Sequence, residues 1–251
     1  MNMRDCLITH VYIADVSALL DEGMYNTLRN LVPEDRRAKA DSMKFAKGRA
    51  QSLGAGLLLH EACRDVAATG MAGFECADEH ITFGEYEKPD FHQAWLAERG
   101  FGQMHFSLSH SGDRVMCGIS GAPIGCDVEV IKDRDMKIAK RFFHEEEYAD
   151  IMAQPDNAKA DRFFRYWTLK ESVIKCEGRG LGMPLDSFRI LLTEEGPKLE
   201  TSAPSADVAM AYGGKYTLKE FALGDGYKYS CCVNLEAGEV EKKCVDIIGL
   251  K

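Results

Sequence analysis

Residues 124–131, IGCDVEVI, carry the clearest strand pattern in the chain, and their parity dictates what packs on either side. Side chains alternate across a strand, so Ile124, Cys126, Val128 and Val130 share one face and Asp127 and Glu129 the other. The apolar face requires a core. The second face sets two like charges at adjacent same-face positions, where they repel. Two outcomes relieve that repulsion. The face is open to water, as half-buried strands commonly are, or it holds a cation. Magnesium is typically bound by one or two carboxylates together with substrate phosphates and water.

The rest of the chain mixes strand and helix patterns without strict alternation. Strands are expected over 6–15, 106–109, 115–120, 188–193, 215–223 and 227–235, with a short one in ITFGEYEKPDF at 81–91. An amphipathic helix is expected over 17–31. Pro33-Glu34-Asp35 starts a helical stretch that divides into two near Gly48, and 69–80 form a loop. Residues 135–153 are helical with a break at Phe143-His144, and a long helix over 157–177 ends at Gly178, which suits a C-cap. Such a mixture favours α+β over a doubly wound sheet. At 251 residues, one domain or two are both open.

The net charge of −9 argues against bulk binding of nucleic acid, which needs a basic surface. Nine cysteines, an odd number with no C-x-x-C pair, read as free and mostly buried thiols of a reducing, cytoplasmic compartment. The first 15 residues lack an apolar signal-type core, and no run approaches 18 apolar residues, so neither a signal peptide nor a membrane span is expected.

Three further groups are candidates for chemistry, each with a plainer reading beside it. In YWTLKESVIK, Trp167, Glu171 and Lys175 follow one another at i, i+4 and i+8 on one helical face, while Lys170 points elsewhere. Glu171 and Lys175 also have the spacing of an ordinary surface salt bridge. His110, in HFSLSHSGD, follows a strand and precedes a Ser-Gly turn; it is placed to bind phosphate or move a proton, or is simply exposed. Arg36 and Lys39 share a helical face and suit a phosphate dianion, or form a solvated basic face. The stretch GRGLG at 178–182 lacks the Lys-Ser/Thr of a phosphate-binding loop, and there is no G-x-S-x-G elbow.

The order SHSGD, IGCDVE, FFRYWTLKES-x-x-K, EGRGLG resembles the Sfp-type 4′-phosphopantetheinyl transferases, most closely over 105–188. That family shows a Ser-His-Ser motif, a G-x-D-x-E strand and a W-[ST]-x-K-E-x-x-x-K helix in this order. The resemblance implies two similar α+β halves, a pseudo-dimer in one chain, each a small antiparallel sheet packed with helices. The N-terminal half would cover 1–121 and hold the 3′-phosphate and adenine side of coenzyme A. The C-terminal half, 122–251, would carry the metal strand and catalytic helix. By the same resemblance, Asp127, Glu129 and Glu171 are Mg²⁺ ligands. Arg36, Lys39 and Ser52 bind the 3′-phosphate. Ser109, His110 and Lys175 grip the pyrophosphate, and Lys88-Pro89 lies over the adenine. Glu87 stands where many members have glycine, and Gln51 replaces a frequent basic residue.

The implied reaction moves phosphopantetheine from coenzyme A to a serine of an apo acyl or peptidyl carrier protein, releasing adenosine 3′,5′-bisphosphate. Glu171, Lys175 and His110 are then the catalytic side chains. A monomer is expected, with no nucleic-acid or membrane partner. The segment KIAKRFFHEEEY, with Lys140, Arg141, Phe142 and Phe143, is the expected carrier contact. Two other readings use the same carboxylates: a metal-dependent nucleotide phosphohydrolase, and a non-catalytic module that binds coenzyme A or a carrier.

Overall fold

A computed structural model describes residues 9–68, 74, 80–200, 215–236 and 239–250. The chain begins with β1 (Thr9–Asp15), followed by α1 (Glu22–Leu28), α2 (Glu34–Asp41) and α3 (Ala46–Ala68). Strands β2 (Ile81–Phe83) and β3 (Pro89–Phe91) form a small hairpin before α4 (Gln93–Glu98). Then come β4 (His105–Ser111), β5 (Arg114–Ser120) and β6 (Ile124–Val130). Helices α5 (Lys137–Phe142), α6 (Glu145–Ala153) and α7 (Asp156–Glu177) lead to β7 (Arg189–Thr193), β8 (Gly196–Glu200), β9 (Thr217–Phe221), β10 (Tyr227–Val233) and β11 (Val240–Val245).

The α+β expectation holds. One sheet has the order β11-β1-β5-β4 and a second the order β6-β10-β9. The second is antiparallel throughout. The first includes one parallel pair, because β11 returns to lie beside β1 with Thr9 opposite Val240. Strand parity sorts the side chains into three cores. Tyr12, Ala14, Val115, Cys117 and Ile119 face α3 and its Leu53, Leu57 and Leu58. The opposite faces of the two sheets share Val11, Ile13, Met116, Ile124, Cys126, Val128, Tyr229 and Cys231. Behind the second sheet, α7 packs Phe163, Leu169 and Val173 with Phe143, Ile151 and Phe188.

Several boundaries differ from the sequence reading. The helical stretch after Pro33 breaks at Ser42, not near Gly48, which is inside α3. Over 17–31, two short 3₁₀ turns flank a two-turn α1, capped by the Asp21 carboxylate accepting from the Met24 N–H. The expected turn after residue 109 begins later: β4 runs through His110 and Ser111, and the hairpin closes at Gly112-Asp113, where Gly112 has φ 57°. Gly178 is the left-handed C-cap of α7, with φ 70°. Strands β8 and β11 were not legible. Phe143 is buried against Phe163, so it belongs to the core rather than to a carrier-facing surface. Most of the 69–80 loop, the start of the 6–15 strand, and Cys6 and Cys76 lie outside the described residues. Six of the described cysteines are buried free thiols, and Cys244 is exposed.

Lys170 is held in the α7 core. Its ammonium bonds the carbonyls of Leu185 and Phe188, both at 2.8 Å, and pairs with Glu147 at 2.8 Å. Glu147 in turn accepts from the N–H groups of His144 and Ile190. A buried ion pair needs such added partners to offset its desolvation.

Candidate active site

β6 is the edge of its sheet, with β10 on one side. The other edge would leave N–H and C=O groups unpaired, which burial makes costly. Side chains take them up. The N–H groups of Cys126, Val128 and Val130 donate to the hydroxyls of Ser107, Ser109 and Ser111 at 3.0, 3.3 and 3.2 Å. On the carbonyl side, Ile124 accepts from the Lys88 ammonium at 3.0 Å and Cys126 from the Lys175 ammonium at 3.2 Å. Hydroxyls at every second position of β4 thus stand in for a neighbouring strand.

The face with Asp127 and Glu129 is covered rather than open, since α7 lies against it. Gly125, on the same parity, permits this. A Cβ there would stand 2.0 Å from the Ser172 carbonyl oxygen and 2.3 Å from the Cys176 nitrogen. Close contact at Gly125 brings the next turns of α7 over the carboxylates. Asp127 is 4% exposed. The Lys175 ammonium donates to Asp127 Oδ1 at 2.6 Å and to Ser109 Oγ at 3.1 Å. Ser109 also donates to Asp127 Oδ1, at 2.8 Å. With the Cys126 carbonyl, all three protons of Lys175 are engaged.

A cavity of about 310 Å³ is lined by Leu108, Ser109, His110, Asp127, Glu129, Trp167, Glu171 and Lys175. A neighbouring one of about 230 Å³ shares Leu108 and Lys175 and adds Tyr86, Lys88, Pro89, Phe106 and Gly178. The groove therefore gathers most of the residues singled out in the sequence. Arg36, Lys39 and Ser52 line neither cavity. Arg36 packs its stem against Gly56 of α3, while Lys39 is close enough for its charge to act on His110.

The groove strains its charges. Burial, then the nearby charge of Asp127, raises the proton affinity of Glu171, which Lys175 partly offsets. Glu129 is raised by burial and again by Asp127, with the Ser111 hydrogen bond opposing. Burial is the largest influence on the Lys175 ammonium and works against it, yet the charge and hydrogen bond of Asp127, together with Cys126 and Glu171, hold its pKa above the ordinary value. For His110, desolvation in the groove, then the Lys175 charge, pulls the ring below 6.5.

Among the described residues, no three His, Cys, Asp or Glu side chains are arranged to cage a metal by themselves. A hard divalent ion shared with a ligand does not need a complete cage. The donor set suits that kind of ion: three mutually repelling carboxylates line one cavity, and Asp127 Oδ2 is buried without a hydrogen-bond partner. Two features escaped the sequence reading. Gly125 and the alternation Ser107, Ser109, Ser111 were both visible as letters, but their partners lie on other elements.

Comparisons with known proteins point to one family. Residues 123–232 match the model of the 4′-phosphopantetheinyl transferase superfamily. The chain is 39% identical over 128 residues to the 4′-phosphopantetheinyl transferase Sfp of Bacillus subtilis, covering 51% of this chain and 54% of that one. It is 37% identical over 159 residues to the 4′-phosphopantetheinyl transferase gsp of Aneurinibacillus migulanus, covering 62% and 59%. With the 4′-phosphopantetheinyl transferase HetI of Nostoc sp. it shares 31% identity over 188 residues, covering 73% and 75%. The matches to the first two span little more than half the length of those relatives. Among the described residues no helix is long and apolar enough to cross a membrane.

Proposed function

The chain belongs to the 4′-phosphopantetheinyl transferase superfamily, of the Sfp type, and on that premise we propose that it transfers 4′-phosphopantetheine from coenzyme A to a serine of an apo acyl or peptidyl carrier protein. The observation that carries this reading is the groove itself, where Asp127, Glu129, Glu171, Lys175 and His110 converge. Asp127 and Glu129, with Glu171, would hold Mg²⁺, which when bound would neutralise the pyrophosphate and polarise the attacked phosphoryl group.

The protein's own groups would do the rest. Glu171, whose proton affinity burial raises in the free protein, would act as the base. It would take the proton of the carrier serine, directly or through a water, as the new serine O–P bond forms. The pyrophosphate P–O bond breaks, and adenosine 3′,5′-bisphosphate leaves. Lys175 would offset charge on that leaving group. Its three protons are committed in the free protein, so reaching a phosphate requires release of one partner. His110 would hold a phosphate oxygen across the groove from α7. Lys88 and Pro89, in the adjoining cavity, would take the adenine end, and Arg36, Lys39 and Ser52 the 3′-phosphate.

The remaining expectations belong to the same proposal. The chain would work as a cytoplasmic monomer without nucleic-acid or membrane partners, in two halves meeting near Gly121–Pro123, with β11 crossing back to the first sheet. The carrier would dock on α5, where Lys140, Arg141 and Phe142 are exposed. Charge reversal at Lys140 and Arg141 should raise the carrier KM; an unchanged KM would remove α5 from the docking surface.

The central test is incubation with coenzyme A, Mg²⁺ and a panel of apo carriers, read by intact mass. One phosphopantetheine per carrier is expected. No gain on any carrier would overturn the proposal, and release of a phosphorylated product without a carrier would favour hydrolysis.

A further inference from the structure

The serine ladder has a register that pairs each rung with one side chain of β6. Ser107 takes the Cys126 N–H, and the residue before it, Gly125, offers no side chain. Ser109 takes the Val128 N–H and donates to Asp127. Ser111 takes the Val130 N–H at 3.2 Å and donates to Glu129 Oε2 at 2.6 Å. A hydroxyl that accepts from the backbone has its single proton aimed away from that donor. The Val130 N–H therefore orients Ser111, and Ser111 orients Glu129. Such a charge-assisted bond is short and strong. Because Asp127 is already tied to Ser109 and Lys175, Glu129 is the carboxylate whose aim depends most on one hydroxyl.

We propose that Ser111 is a positioning residue, fixing Glu129 so that it and Asp127 present oxygens together to a divalent cation. This rests on the metal reading of the carboxylates. Ser111 lines neither cavity; it acts through Glu129. Outer partners of ligating carboxylates typically govern metal affinity by about 10–100-fold. Ser107 is a built-in control, since it forms the same kind of rung without holding a carboxylate.

The experiment is a Mn²⁺ titration of the full chain with coenzyme A present, read as free Mn²⁺ by electron paramagnetic resonance. Ser111→Ala should weaken Mn²⁺ binding by about 10-fold or more. Ser111→Thr, which keeps the hydroxyl, should restore it, and Ser107→Ala should leave Mn²⁺ affinity unchanged. If Ser111→Ala does not fold, the comparison of Ser111→Cys with Ser111→Thr replaces it, with the same loss expected for the thiol. Unaltered affinity in the Ala or Cys variant, or an equal loss in Ser107→Ala, overturns the role of Ser111 while leaving the metal reading intact. Failure of the wild-type chain itself to bind Mn²⁺ overturns the metal reading and this role with it.

Discussion

Gly125 of β6 meets the Ser172 carbonyl of α7 so closely that a Cβ at Gly125 would stand 2.0 Å from that oxygen. The contact is backbone on backbone, so no side-chain rotation relieves it. Gly125→Ala must push α7 away from β6, and Glu171 and Lys175 move with the helix. The expected cost is about 1–3 kcal/mol of stability, as for other overpacked sites, with turnover per folded molecule falling as well. Denaturant midpoints and single-turnover assays read the two effects. A folded variant of undiminished activity would show that the α7–β6 spacing does not set the catalytic geometry.

Asp127 is where the assigned charges meet. Asp127→Asn keeps the shape but leaves Lys175 without its carboxylate partner and removes one anionic oxygen from the groove. Turnover should fall by roughly 100-fold or more, the scale of losing one electrostatic stabiliser, while the fold remains. Near-normal activity would exclude Asp127 as a metal ligand.

What the sequence made legible follows from periodicity. IGCDVEVI shows a strand because polar and apolar residues alternate, and α7 shows its end because Gly178 adopts a left-handed cap. Trp167, Glu171 and Lys175 could be placed on one face by counting turns, and all three do line the cavity. Parity could not say what lies across from Asp127, so a face equally suited to water proved to be covered by α7. The role of Gly125 was hidden for the same reason, since the helix it admits begins some thirty residues later. β11 was missed because VEKKCV is mostly polar and exposed at a sheet edge. Expecting a turn straight after residue 109 ended β4 too early; the serine alternation extends the strand to Ser111.

His110 gives the groove a pH dependence whose sign can be worked out. Desolvation, then the charges of Lys175 and Lys39, lowers its folded pKa below 6.5. As pH falls through 6.5, the unfolded chain gains a proton that the folded one resists, so the free protein loses stability over that window. A phosphate in the groove favours the charged ring, so coenzyme A binding should take up protons near pH 6–7. Calorimetry in buffers of different ionisation enthalpy should show this uptake, and His110→Gln should reduce it. Equal uptake in the variant would place the titration elsewhere.

Glu87 has φ 58°, which is left-handed backbone, in the turn where Gly84 and Lys88 close the β2–β3 hairpin. Such a conformation costs an L-residue about 1–2 kcal/mol. Glycine avoids that cost but gives back part of it through its freer unfolded chain. Glu87→Gly should therefore raise stability by about 0.5–1 kcal/mol, measured as a higher denaturant midpoint with an unchanged slope. A lower midpoint would mean that the Glu87 side chain contributes more than its backbone strain removes.

The Lys170–Glu147 pair separates what motif residues do for chemistry from what they do for the fold. Lys170 sits beside Glu171 in sequence, yet it is fully buried and points into the α7 core, with the Phe188 ring 4.4 Å from its ammonium. Burial pulls its pKa down, and the Glu147 charge resists this. Lys170→Met leaves Glu147 buried with its charge unpaired, which should cost about 3–5 kcal/mol. Adding Glu147→Leu removes that charge and should recover a large part of the loss, although the His144 and Ile190 N–H groups then lose their acceptor. A double-mutant cycle from chemical denaturation measures the coupling. Additive losses would show that the pair is held by its backbone partners rather than by its charges. If Lys170 is purely structural, the folded fraction of each variant should turn over at the wild-type rate, whereas substitutions at Glu171, one residue along the same helix, should stop turnover with little change in stability.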